Sequence, residues 1–85
     1  MPLMNWQERI EFNPGVLAGK PIIKKTRIAV EFVIELMARG WTCEQILKEY
    51  DHLTIDDIRA CLAYASEALK SERVYLAPVR EQVAP

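Results

Sequence analysis

The sequence predicts a mainly α-helical domain, a helix-turn-helix-like trihelical bundle preceded by a short β-hairpin arm. Two observations indicate the helices: apolar residues recur at helical spacing from residue 30 onward, and two threonine caps divide that region into three segments. A third observation indicates the arm, because residues 9–12 alternate polar and apolar side chains before a turn signal. With 85 residues, 51% of them hydrophobic, the chain fits one small globular domain.

The arm is predicted from residues 9–23. The alternation at 9–12 has the period of a half-buried strand. Asn13-Pro14-Gly15 is a turn signal, because proline presets φ and glycine accepts a positive φ. Ile22 and Ile23 then supply a second short strand opposite the first. Since an isolated hairpin is barely stable in water, we expect it to pack on the helices or to pair with a strand of another chain.

The first helix is predicted to begin at Val30 and to end at Gly40, which serves as a C-terminal glycine. Glu31 in its first turn suits the helix dipole. Helical spacing places five apolar residues on one inward face: Val30, Val33, Ile34, Met37 and Ala38.

The second and third helices begin at similar caps. Thr42 and Gln45 match a capping box, which predicts a second helix from about Cys43 to Tyr50. Thr54 caps the third and longest helix, with Asp57 at the third helical position. A 3-4-3-4 spacing predicts the inward seam of this helix: Ile55, Ile58, Leu62, Ala65 and Leu69.

These elements divide the chain into an N-terminal extension (1–8), one trihelical domain with its arm (9–75) and a flexible tail (76–85). No run of 18 apolar residues is present, and residues 1–8 lack the pattern of a signal peptide. We therefore expect a cytoplasmic protein without a membrane span.

The residues with reactive side chains do not form an enzyme signature. Cys43 and Cys61 lack C-x-x-C spacing, and His52 is the only histidine, so we expect reduced thiols and no zinc site. The sequence contains neither a Gly-rich phosphate loop nor a nucleophile elbow. We expect no enzymatic activity, no catalytic residue, no cofactor and no metal.

The net charge of −1 conceals one positive segment. Residues 20–27 carry a charge of +4, whereas residues 28–70 carry −4. On a short arm, lysine and arginine can contact phosphates of double-stranded DNA, as homeodomain arms do. The candidate DNA-binding residues are Lys20, Lys24, Lys25 and Arg27. The alternative is that Lys20 and Lys24 are solvated loop charges and that Arg27 pairs with a local carboxylate such as Glu31.

The third helix is predicted to contact a protein rather than DNA. It occupies the recognition position of a helix-turn-helix, but Asp56 and Asp57 in its first turn repel phosphates. Apolar residues on more than one side of it, and in the segment that follows, favour a partner or homodimer surface. The candidates for that surface are Cys61, Tyr64, Ala68, Arg73, Val74, Tyr75, Leu76 and Arg80. For the residues beyond the helix, the alternative is an ordinary frayed terminus.

The sequence from Gly15 to about Leu69 resembles domain of unknown function family 433, whose members have a homeodomain-like trihelical fold. The resemblance rests on motifs in the order and spacing of the family: Asn13-Pro14-Gly15, Gly19-Lys20-Pro21-Ile22-Ile23-Lys24, Thr26-Arg27-Ile28-Ala29-Val30, Gly40-Trp41, Ile46-Leu47, Tyr50-Asp51-His52-Leu53-Thr54 and Asp57-Ile58-Arg59-Ala60. Two residues depart from the usual pattern: Lys25 stands where glycine is common, and Ala29 stands where proline is common.

The resemblance implies a function that the residues alone do not. Some members resemble VapB-type antitoxins, which pair with PIN-like ribonuclease toxins, dimerise, bind operator DNA and cover the toxin with a C-terminal segment. The first hypothesis is therefore a homodimeric antitoxin that neutralises a PIN-like toxin and binds its own promoter. The alternatives are a protein-interaction module without DNA binding and a stand-alone small transcriptional regulator.

Overall fold

The computed structural model describes residues 4–71 of the chain. Its strands are β1 (Ile10–Phe12) and β2 (Pro21–Ile23), and its helices are α1 (Val30–Ala38), α2 (Cys43–Glu49) and α3 (Ile55–Ser71). The predicted fold class, three helices preceded by a β-hairpin, is confirmed.

The hairpin packs against α1 and α3. β1 and β2 pair antiparallel, with Ile10 opposite Ile23, and both side chains are buried in the core. The predicted turn forms as expected, because Asn13 accepts the Gly15 amide through its side chain (2.9 Å) and the Val16 amide through its carbonyl (2.8 Å). The hairpin therefore obtains its stability from packing on its own chain.

The folded body also includes residues that precede the hairpin. A 3-10 turn at Trp6–Glu8 contacts α3, and the Trp6 ring meets the Tyr64 ring edge-on, with centroids 5.0 Å apart. The sequence predicts that residues 1–8 form an extension outside the domain. In the structure, Trp6 of that extension packs against the core.

The two helix boundaries around residue 40 form as local rules predict. Gly40 takes a φ of +100°, and the Trp41 amide donates to the Leu36 carbonyl (3.0 Å) across it, as in a Schellman motif. Thr42 and Gln45 then form both hydrogen bonds of the capping box that begins α2.

The inward face of α1 differs from the predicted one. Val30 and Val33 are buried as expected, but Leu36 is buried with them, whereas Ala38 is exposed. α1 contacts three neighbours, β2, α2 and α3. Its buried residues therefore do not all lie on one straight face but shift gradually around the helix axis from one turn to the next.

The predicted seam of α3 is wrong at most of its positions. Ile58 is fully buried, but Ile55, Leu62 and Leu69 are 39%, 43% and 69% exposed. The buried face consists mainly of small side chains, Ala60, Cys61 and Ala63. Small residues allow α3 to approach the rest of the domain closely, and the larger leucines are left outside.

Candidate interaction surfaces

The four basic residues of segment 20–27 lie in two different environments in the structure. Lys20 precedes β2 and forms an ion pair with Glu31 of α1, with a distance of 3.0 Å from Nζ to Oε2. Lys24, Lys25 and Arg27 lie together on the exposed connection between β2 and α1, and no ion pair within residues 4–71 involves them. The predicted alternative, a pair between Arg27 and Glu31, does not form; Lys20 takes that position.

Thr26 fixes the shape of this connection. Its hydroxyl donates to the Ile23 carbonyl (2.7 Å) and accepts the Ile28 amide (3.0 Å), so both sides of the turn are tied to one side chain. Lys25 adopts a φ of +66° there, a left-handed conformation that favours glycine. The three cations are thus presented by an ordered turn, which we call the basic turn (residues 24–27).

The acidic start of α3 is part of the architecture. Thr54 and Asp57 form a reciprocal capping pair, and Asp57 Oδ1 also accepts from Arg9 Nη1 at 3.1 Å. The neighbouring Asp56 lies 3.7 Å from both Arg9 and Arg59. The Asp57 side chain is only 12% exposed. Its carboxylate therefore stabilises the contact between the arm and α3 through its bond with Arg9. This supports the interpretation of the aspartates as structural residues.

Arg9 is the important residue that sequence reasoning missed. The alternation at residues 9–12 placed it on the polar side of β1, but its partner is 48 positions away. No local signal in the sequence identifies a pair at that separation.

Exposed apolar side chains follow the outer side of α3. Ile55, Leu62 and Leu69 are separated by seven residues each, so they lie on one side of the helix. We call these three residues the outer stripe. Over 14 residues the stripe is about 21 Å long at the rise of an α-helix.

The predicted partner surface is placed only in part. Cys61 is 0% exposed, which corrects its assignment to an outward surface, because it faces the core with Ala60. Tyr64 and Ala68 are half-buried and lie on another side of α3 from the outer stripe. The remaining predicted residues, Arg73, Val74, Tyr75, Leu76 and Arg80, and the predicted flexible tail at 76–85, lie outside the described residues.

Tyr64 and Ala68 line an open groove between α1 and α3, with a volume of about 580 Å³. Its walls are mainly apolar and come from β2, α1 and α3, with Glu31 and Glu35 among the lining residues. Its apolar lining includes Pro21, Val30, Ile34, Tyr64, Ala65 and Leu69. We call it the α1–α3 groove.

The thiol of Cys61 is buried and protonated, and therefore unreactive, near neutral pH. Burial, and secondarily the Asp57 carboxylate, raise its pKa from 9.0 to about 12, so it carries no thiolate near neutral pH. Within residues 4–71, no three His, Cys, Asp or Glu side chains are grouped to hold a metal ion. In the same part of the chain, no helix has the length and apolarity needed to cross a membrane.

Within residues 4–71, these features define the class: a small trihelical domain with an N-terminal β-hairpin, a basic turn, an apolar stripe on α3 and an apolar groove between α1 and α3. The chain belongs to the family of proteins of unknown function DUF433, whose model matches residues 10–65. A crystal structure of a DUF433 member protein from Anabaena variabilis is similar to it, with a TM-score of 0.71 and 29% sequence identity. That match covers 79% of this chain and 67% of the other. The comparison with curated proteins finds no match.

Proposed function

We propose that this protein is an antitoxin-like binding protein that pairs with a PIN-like ribonuclease toxin and neutralises it. The observation that carries the proposal is the outer stripe of α3. Single exposed leucines are ordinary on protein surfaces, but these three large apolar side chains recur every seven residues and so form a line along one side of α3 that a partner can contact. The family resemblance supplies the kind of partner.

The position of the outer stripe supports this function further. Leu69 lies two residues before Ser71, where α3 ends in the described structure. The following residues include the predicted partner segment Arg73–Arg80. The stripe and that segment are therefore consecutive along the chain, and a toxin surface that binds one can extend onto the other. An arginine of the segment would be suited to an acidic, metal-binding ribonuclease site.

The test is co-purification of the full chain with the product of an adjacent PIN-like gene. The variant Leu62→Asp/Leu69→Asp places two charges on the stripe, and we expect it to lose toxin capture and neutralisation. Leu17→Asp is the matched control, because Leu17 is a similarly exposed leucine (40%) in the hairpin loop, and it should retain both. Wild-type capture by the stripe variant would contradict the assignment.

Deletion of residues 74–85 tests the contribution of the segment. We expect the deletion to release toxin activity, and retained neutralisation would restrict the partner surface to α3.

DNA binding by the basic turn is the second candidate function. It is favoured by three cations on one ordered turn that form no ion pair within residues 4–71. In a homodimer six such charges would give a log–log salt slope of roughly −5, at about −0.9 per phosphate contact. Lys20 is left out of this set because Glu31 neutralises it.

Promoter retardation at two salt concentrations tests this second function. Lys24→Ala/Lys25→Ala/Arg27→Ala should abolish it, whereas Lys48→Ala/Lys70→Ala, which removes two exposed lysines elsewhere, should preserve it. If the triple variant retards the promoter like the wild type, the basic turn is not the DNA contact. If the wild type itself does not retard the promoter, the protein is an interaction module without this DNA function. Promoter binding without any toxin partner would instead indicate a stand-alone regulator.

A further inference from the structure

The α1–α3 groove is an apolar surface that the described residues leave open. It holds about 580 Å³, and the side chains on its α3 wall (Tyr64, Ala65 and Ala68) are only half-buried. This surface is separate from the outer stripe, except that Leu69 lies at the edge of both.

We infer that residues 73–80 of the same chain occupy the α1–α3 groove when no partner is bound. The first argument is position. Ala68 and Leu69 of the groove wall lie within three residues of Ser71, the last residue of α3 that the structure describes. The α3 wall from Tyr64 to Leu69 is about 7.5 Å long, and a segment of eight residues can span up to about 26–29 Å when extended. The segment is therefore long enough to lie along the groove if the chain reverses beyond residue 71.

The second argument is chemical complementarity. The segment reads Arg73-Val74-Tyr75-Leu76-Ala77-Pro78-Val79-Arg80, with apolar residues between two arginines. The groove is apolar and carries the carboxylates of Glu31 and Glu35. Lys20 and Arg39 bond only the Oε2 atoms of these two glutamates, which leaves each Oε1 free of bonds from the described residues. Because Glu31 and Glu35 lie one helical turn apart on α1, an arginine at one end of the segment can pair with a carboxylate there while the apolar run faces the groove.

This inference goes beyond the proposed function, because it concerns the unbound protein and holds whether or not a toxin exists. If the segment also contacts a toxin, the groove and the toxin compete for it. The apparent affinity for the toxin is then reduced by the fraction of protein in which the groove holds the segment.

The experiment is an NMR comparison of the full-length protein with three variants. Leu76→Asp places a charge in the middle of the segment, and we expect the amide signals of Ile34, Ala65 and Ala68 to shift while those of α2 stay in place. Val83→Asp is the matched control, because it adds the same charge beyond residue 80 and should shift none of them. Ala68→Glu changes the groove side, and it should lower the heteronuclear NOE of Leu76 from the value of the folded body.

Two results would overturn the inference. If the signals of Leu76→Asp match those of the wild type at the groove, the segment does not bind there. If the wild-type groove signals move on serial dilution, the occupant is a second copy of the chain rather than the same one. The Leu76→Asp comparison is decisive even if Ala68→Glu fails to fold. A failure of toxin capture leaves these signals unaffected, so the two proposals are tested separately.

Discussion

Lys25 holds a backbone conformation that costs free energy. A non-glycine residue at a φ of +66° brings its Cβ close to the following carbonyl, which costs about 1–2 kcal/mol. Glycine removes that cost but adds about 0.5–1 kcal/mol of backbone entropy to the unfolded chain. We therefore predict that Lys25→Gly raises the free energy of unfolding by about 0.5–1 kcal/mol, measured by urea denaturation.

The control is Lys24→Gly, which removes the same charge one residue earlier. Lys24 is not among the residues with a positive φ, so glycine there offers no relief of strain and should lower stability. Equal effects of the two substitutions would show that charge, not backbone conformation, dominates at this turn.

Cys61 makes the stability of the domain depend on pH in alkaline solution. Its pKa is about 12 in the folded state, compared with 9.0 for an ordinary thiol. Below pH 9 both states hold the thiol proton, so the full stability is present. Between the two pKa values only the unfolded state releases it, so the free energy of unfolding falls as pH rises, by about 1.4 kcal/mol per pH unit.

The measurement is a series of denaturation curves across that window for wild type and Cys61→Ala. The two proteins differ only at this side chain, so the difference between the two slopes isolates the thiol. We expect a shallower slope for the variant, and parallel slopes would contradict the buried, protonated thiol.

At the level of secondary structure, Arg9 joins the arm to α3 through ion pairs with Asp56 and Asp57. Arg9 Nη1 donates to an Asp57 carboxylate that also caps the helix. Removing Arg9 leaves a nearly buried negative charge with fewer partners, so Arg9→Met should destabilise the fold by about 1–3 kcal/mol. Thermal or urea unfolding measures this loss.

Arg39→Met supplies the comparison, because Arg39 also pairs with a carboxylate, that of Glu35 one helical turn away. Both of those side chains are more than half exposed, and such pairs contribute about 0.5 kcal/mol or less. Comparable losses in the two variants would argue against a special role for the Arg9–Asp57 pair. A smaller effect of Arg9→Met in an Asp57→Asn background would confirm that the two side chains are coupled.

At the level of the whole molecule, the free energy of unfolding is expected to be small. A chain of 85 residues has a free energy of unfolding of roughly 4–12 kcal/mol, at about 0.05–0.15 kcal/mol per residue. Ile58 is 0% exposed and part of the central core, so Ile58→Ala should cost about 2–5 kcal/mol and leave a marginal or unfolded protein. Leu62→Ala, four positions along α3 but 43% exposed, should change stability by about 0.5 kcal/mol or less. Circular dichroism melting curves of the two variants distinguish the observed orientation of α3 from the seam with Leu62 facing inward.

The parts of this protein that the sequence predicts correctly depend on residues close together in the chain. The Asn13 turn of the hairpin, the glycine at position 40 and the two threonine caps each follow from contacts within a few residues, and each is present. The family resemblance is likewise confirmed, because it depends on short motifs in order. A local pattern specifies these features because the backbone has few ways to satisfy its hydrogen bonds there.

The features that only the tertiary structure decides join residues that are distant in sequence. α3 carries apolar residues on several sides. The face with small residues is the buried one, because small side chains let the helix approach the rest of the domain closely. This orientation of α3 also leaves the leucines of the outer stripe on the surface and leaves the α1–α3 groove open among the described residues. It also brought Arg9 to Asp57 and Lys20 to Glu31. Periodicity identifies an amphipathic helix, but which face is buried depends on the shapes of the elements that pack against it.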